Sequence, residues 1–128
     1  MKKVIKTDKA PKAIGPYSQA ILTTYGHFLF ISGVLPINPE TNEIVEGGIR
    51  EQTKQVMKNI FSILETQEIN FDNIIRCDVF LTDLNNFQAF NEEYSKFFKN
   101  NNYPARVTVE VSKLPKNALI EIAVIAGM

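Results

Sequence analysis

Arg106 occupies the second strand position of "YPARVTVEV" (103–111), where Val107, Val109 and Val111 alternate with Arg106, Thr108 and Glu110. A period of two is the mark of a half-buried strand, and its plainest reading leaves Arg106 in water. Four other polar sites argue for more. Glu121 is the one ionisable residue of "LIEIAVIA" (119–126), where an unpaired buried carboxylate would cost several kcal/mol or stay protonated. Asn91 lies on the helical stripe of Phe87, Phe90, Tyr94, Phe97 and Phe98, so its amide is either a satisfied core group or part of a site. Tyr17 follows Gly15-Pro16, and Ser32-Gly33 closes an apolar strand. An arginine fork can hold a planar anion by two parallel hydrogen bonds, and a glutamate can deprotonate a water, but each of these polar exceptions alone is a weak signal.

These residues must be positioned by short elements. Strands are expected over 2–6, 18–24 and 27–32, the first two flanking the turn-rich "DKAPKAIGPY". "VLPINPETNEIVEGG", with two prolines, reads as loop. Thr53, Val56, Met57, Ile60, Ile63 and Leu64 recur at helical spacing, predicting an amphipathic helix over 49–68. A strand over 74–83 ends at Asp83, a suitable N-cap for a second helix over 84–100. Strands over 105–112 and 119–126 complete the chain around "KLPKNA". The order predicts an α+β sandwich with both helices on one face of a mixed sheet. No third helix is left for the other face, so further copies of the chain are the economical cover. A simple hairpin of the last two strands would set Glu121 opposite Glu110 rather than Arg106. Bringing Arg106 and Glu121 together then needs a bulge or a subunit interface.

The 128 residues, 45% hydrophobic with nine Phe, suit one domain over 1–128 with an adequate core. Fourteen basic residues balance fourteen acidic ones, so no cationic excess points to nucleic acid or an anionic membrane. The lysine-bearing N-terminus lacks a signal-peptide core, and no run approaches the roughly 20 apolar residues that span a bilayer, so a soluble, cytoplasmic protein is expected. Cys77 is alone and is expected in the core; His27 is alone and is expected at the surface. A catalytic triad or a cysteine-based zinc site therefore has little to build on, and no dinucleotide, P-loop or zincin motif occurs.

In order and spacing, "AIGPYSQA", "FISGVLP", "EGGIREQTKQVMKNI", "DLNNFQAFNEEYSKFF" and "YPARVTVEVSKLPKNALIEI" resemble the RidA (YjgF) family over nearly the whole chain. The closing "PAR", "VEVSKLP" and "IEI" are the most specific part. The resemblance implies a chorismate-mutase-like fold with a six-stranded mixed sheet, a homotrimer whose sheets form a central barrel, and active sites between subunits. It also implies hydrolysis of 2-imino acids such as 2-iminopropanoate and 2-iminobutanoate, or their enamines, to 2-keto acids and ammonia, with neither metal nor organic cofactor. Such imines are reactive intermediates of pyridoxal-phosphate enzymes. The family's carboxylate-binding arginine falls on Arg106, its acid on Glu121, its pocket tyrosine on Tyr17, its Ser-Gly pair on Ser32 and Gly33, and its helix asparagine on Asn91. Thr108 stands where cysteine is common, with a backbone carbonyl still able to accept a hydrogen bond from substrate or water. Val34 stands where glutamine is common, which bears on substrate preference. The rival readings are a non-catalytic ligand-binding or regulatory module, a translation-inhibiting or RNA-directed protein, and a structural oligomer with an empty cleft.

Overall fold

The computed structural model describes residues 1–128. The first helix, α1 (Ile49–Glu65), starts where the Gly48 N–H donates to Glu51 Oε1 at 2.9 Å, and closes where the Thr66 hydroxyl donates to the Ile63 carbonyl. It buries Ile49, Gln52, Thr53, Val56, Met57, Ile60 and Leu64. Ile63, expected inside, stays partly exposed, and Gln52 takes a buried place because its side chain accepts the Leu119 N–H at 2.8 Å. The second helix, α2 (Phe87–Ser95), is shorter than its expected span. Leu84–Asn86 wind as a tighter 3-10 turn whose start Asp83 caps, accepting from Asn85 N–H. Beyond α2, Asn100 and Asn101 adopt left-handed backbone conformations and turn the chain toward the next strand. No helix is long and apolar enough to cross a membrane.

The strands are β1 (Lys2–Ile5), β2 (Ala20–Thr23), β3 (Phe28–Val34), β4 (Ile37–Asn38), β5 (Glu43–Ile44), β6 (Ile74–Leu81), β7 (Ala105–Glu110) and β8 (Ile120–Gly127). Four form a mixed sheet in the order β3-β8-β6-β7, and the segment expected to be loop contains the short β4/β5 pair. Instead of one six-stranded sheet, β1 and β2 pair separately and meet the large sheet at a single bridge, Ser18 to Ala105 on β7. The Ser18 N–H supports it by donating to the Pro104 carbonyl at 3.1 Å.

Although adjacent in sequence, β7 and β8 do not form a simple hairpin. The β6–α2–β7 crossover returns the chain in its original direction, so β7 pairs parallel to β6 at the sheet edge, and β8 pairs antiparallel on the other side of β6. Glu110 is thereby removed from Glu121 and instead accepts the Leu84 N–H at 2.9 Å.

Both helices cover one face of the sheet. Cys77, Val79, Leu81, Ile120, Ile122 and Val124 meet Val56, Met57, Ile60, Leu64, Phe90 and Tyr94 in one core. On the other face Phe28, Phe30, Val107 and Val109 are exposed, with Phe30 73% accessible. "LIEIAVIA" is therefore covered by its own chain on one side only.

Glu93 on α2 escaped the sequence reading although it stands three after Phe90 and four before Phe97, because beside Glu92 it reads as half of a solvated acidic pair. Its carboxylate is 3% exposed and faces Lys96 at 3.2 Å, Arg50 at 3.4 Å and Lys54 at 4.0 Å, tying α2 to α1. Burial pushes this carboxyl up, but the three cations outweigh it and hold it below the ordinary range. A depressed carboxylate contributes stability that is present above the unfolded value, about 4.3, and is lost as pH falls through the lower folded value. Glu93→Gln should thus lose about 1 to 2 kcal/mol at pH 7, a modest figure because the cations stay in contact with solvent, and should flatten the acid limb of stability. Urea unfolding of both proteins at pH 7 and pH 3.5 measures this; equal losses at both values would remove Glu93 from the acid response.

Candidate active site

The parallel pairing of β7 puts Arg106 directly beside Cys77, on the face the helices cover. The solvated reading of Arg106 is overturned: Val107 and Val109 are the exposed residues, and the arginine points under α2. The guanidinium carbon lies 5.1 Å from the ring centre of Tyr94, 5.2 Å from Phe90, 5.4 Å from Tyr17 and 5.7 Å from Phe87. Ring faces attract a cation at such distances and offset part of its dehydration. They accept no conventional hydrogen bond, and Nη1 is buried without a partner.

No carboxylate in the chain pairs with this arginine. Burial lowers its pKa from the ordinary value, partly countered by Tyr94, Cys77 and Tyr17, yet a guanidinium remains charged at any physiological pH. The groups beneath it supply no negative charge. Burial pushes the Cys77 thiol up to about 12 and the Tyr94 phenol well above its usual value, so both are neutral. As expected, Cys77 is a core residue.

Above the guanidinium opens a cleft of about 250 Å³ lined by Ile14, Tyr17, Phe87, Arg106 and Thr108. Thr108, two residues along β7, shares Arg106's face of the strand. Asn91 reaches the same place from α2. A Cβ added at Gly15 would sit 3.3 Å from Asn91 Nδ2 and 3.5 Å from Arg106 Nη2, so the bare glycine lets the loop lie close over both. Asn91 Oδ1 and Thr108 Oγ1 are buried and unpartnered like Arg106 Nη1. Three orphaned polar atoms around one cleft are unusual in a folded interior, where such groups are nearly always paired, and they leave both donor and acceptor capacity for a bound molecule. Ile14 was missed as a lining residue; its signal was an isoleucine stranded in a polar loop.

Ser32, Gly33 and Glu121 form a separate group on the open face. The β3–β8 register shifts between Ile31 and Val34, so Ser32 and Gly33 form a bulge, which leaves backbone groups outside the ladder. Gly33 faces Glu121, since a Cβ there would come within 2.8 Å of Glu121 Cδ. Glu121 pairs across β6 with Phe80, whereas Arg106 pairs with Cys77. Phe80 and Cys77, three apart on β6, point to opposite faces. One chain therefore gathers Arg106, Tyr17, Asn91 and Thr108 on one side of the sheet and Ser32, Gly33 and Glu121 on the other. His27 is exposed, and no three His, Cys, Asp or Glu side chains come together as a metal-ligating group.

A family model described as Endoribonuclease L-PSP matches residues 7–128. A RutC family protein of Pyrococcus abyssi is 54% identical over 125 residues, covering 98% of this chain and 96% of that one. The human 2-iminobutanoate/2-iminopropanoate deaminase is 42% identical over 126 residues, covering 98% and 90%. Among solved structures, the Rid-family protein YyfA of Yersinia pestis superposes with a TM-score of 0.78 at 49% identity over the full length of both chains.

Proposed function

The chain belongs to the Rid (YjgF) family, the one the Endoribonuclease L-PSP model describes, and on that premise we propose that it hydrolyses 2-imino acids to 2-keto acids and ammonia. The observation that carries the reading is the Arg106 guanidinium, charged, caged by four rings and without any protein anion or Nη1 partner. Such a group is a preformed receptor for a small carboxylate, and the cleft of about 250 Å³ above it has room to admit one. The human relative named as an imine deaminase adds the reaction class.

In this mechanism Arg106 holds the substrate carboxylate and so places the adjacent imine carbon. Asn91 Oδ1 and the Thr108 carbonyl accept from the imine N–H or from water. Glu121 takes a proton from a water as its oxygen bonds to that carbon, giving a carbinolamine. Return of that proton to nitrogen expels ammonia, and loss of the carbinol hydroxyl proton to the freed Glu121 carboxylate closes the C=O of the keto acid. The protonated imine and one water are consumed, the proton left on Glu121 passes to ammonia, and no electrons are exchanged. The two faces of one chain cannot perform this together. We assign the second half of each site to a neighbouring copy, whose Ser32, Gly33 and Glu121 face the Arg106 cleft when the exposed Phe28, Phe30, Val107 and Val109 faces are packed in a homotrimer. The apolar area now open to water favours that packing.

The test is direct. 2-Iminobutanoate generated in situ by a threonine-dehydrating enzyme should give 2-oxobutanoate faster with this protein than by spontaneous hydrolysis, in proportion to protein added. A rate equal to the background at every concentration would leave a ligand-binding module as the reading.

A further inference from the structure

The cleft is roofed by the 7–17 loop, which brings Ile14, Gly15 and Tyr17 over Arg106, and this loop is poorly held by its own backbone. Within it one backbone-to-backbone hydrogen bond forms, from the Tyr17 N–H to the Gly15 carbonyl at 2.8 Å. Pro11 and Pro16 have no N–H to give. Ile14, at the tip, is 81% exposed, and its N–H donates to the Tyr17 hydroxyl at 3.2 Å. An irregular segment of this kind should sample open conformations unless a side chain satisfies its polar groups.

Beside the Tyr17 hydroxyl at the tip and the Thr7 hydroxyl, which accepts the Lys9 N–H at 3.2 Å, one side chain does most of this. Gln19, just before β2, accepts the Thr7 N–H at 2.7 Å and donates through Nε2 to the Thr7 carbonyl at 3.0 Å and the Pro11 carbonyl at 2.7 Å, with the Ala10 carbonyl at 3.4 Å. The amide thus joins the beginning of the loop to its end, and both its oxygen and its nitrogen are used. Its neighbour Ser18 is bonded to Pro104, just before β7, so the clasp is anchored to the strand that carries Arg106. We propose that Gln19 is a positioning residue that holds the 7–17 loop closed over Arg106 and thereby sets the affinity of the cleft for its carboxylate ligand. The proposal rests on the imine-hydrolase reading for the identity of that ligand, but the clasp itself is a statement about the loop.

When the binding-competent state is populated only in part, apparent affinity falls by that fraction. Gln19→Leu keeps the volume and removes every bond to the loop. If the loop is then closed about one tenth of the time, KM rises about 10-fold while kcat, read from closed complexes, stays within about twofold. A merely structural loss would do the reverse, reducing active protein at constant KM. Independently of substrate, Lys9 and Lys12 are exposed on the loop and report its opening. Trypsin should cut after them about 10-fold faster in the variant, while Tm changes little. Gln19→Glu keeps the bond from the Thr7 N–H, should fall between the two proteins, and replaces Gln19→Leu if that variant fails to fold.

The experiment compares intact-mass trypsin kinetics with KM and kcat on 2-iminobutanoate for wild type and variants. Faster cleavage with raised KM is the expected result. Unchanged cleavage overturns the clasp, and faster cleavage at unchanged KM overturns its role in the site. If the wild type fails to hydrolyse the imine, the proposed function fails separately. The dissociation constant of 2-oxobutanoate then takes the place of KM, and absence of binding by the wild type would overturn this inference too.

Discussion

Arg106→Lys should fold and assemble like the wild type and lose about 100-fold in kcat/KM on 2-iminobutanoate, with Arg106→Ala lower still. Lysine keeps the positive charge, so a site needing only attraction would keep most of its activity. A carboxylate held by two parallel hydrogen bonds is a different case, because an ammonium is a point donor and leaves the carboxylate free to rotate. The imine carbon is bonded to that carboxylate, and an error of about 1 Å in its position can cost on the order of 10²-fold. The cage adds to the loss: four rings packed around a flat guanidinium fit a lysine poorly. Stability should change in the opposite sense to activity, or hardly at all, since the native arginine sits buried with Nη1 unsatisfied. Steady-state rates with a urea midpoint for each protein separate the two effects. Near wild-type hydrolysis by the lysine variant would exclude the two-bond clamp, and near wild-type hydrolysis by the alanine variant would take Arg106 out of the mechanism.

Glu121→Gln should lower kcat by about 10²-fold or more with the fold kept, because the amide preserves shape and hydrogen bonding but cannot take a proton from water. Packed against Gly33 on a half-open face, position 121 has little to lose in stability. The pair of variants also tests how the site is assembled. If Arg106 comes from one copy and Glu121 from its neighbour in a three-membered ring, then unfolding and refolding Arg106→Ala and Glu121→Gln together in equal amounts creates sites that combine the intact residue of each. Random assortment gives about one quarter of the wild-type sites from two nearly inactive proteins. If both residues served a site from the same copy, each mixed site would still lack one of them and activity would not return.

Some of this was legible before any tertiary structure. The apolar stripe from Thr53 to Leu64 predicted an amphipathic helix, and Cys77 within "IIRCDVFL" was expected in the core, as the structure has them. Period alone marked Asn91 and Glu121 as polar residues in the wrong places, and resemblance joined them to Arg106, Tyr17, Ser32, Gly33 and Thr108. Local pattern says which residues share a face of their own strand, since side chains alternate at every position. It does not say which face the helices will cover, and so Arg106 looked solvated when it lies under α2.

Pairing was equally out of reach. Adjacency in sequence suggested that β7 and β8 form a hairpin, whereas α2 acts as a crossover that makes β7 parallel to β6 and leaves β6 between them. Strand direction depends on where the intervening helix returns the chain, and that is settled by its packing on α1 and the sheet rather than by any local propensity. The bulge at Ser32-Gly33 belongs to the same class, because it exists only as a mismatch between β3 and β8. The sequence alone nominated the polar residues of the candidate site; the long-range packing of α2 and β8 decided that they stand in two groups on opposite sides of one sheet, because side-chain alternation is local and strand pairing is not.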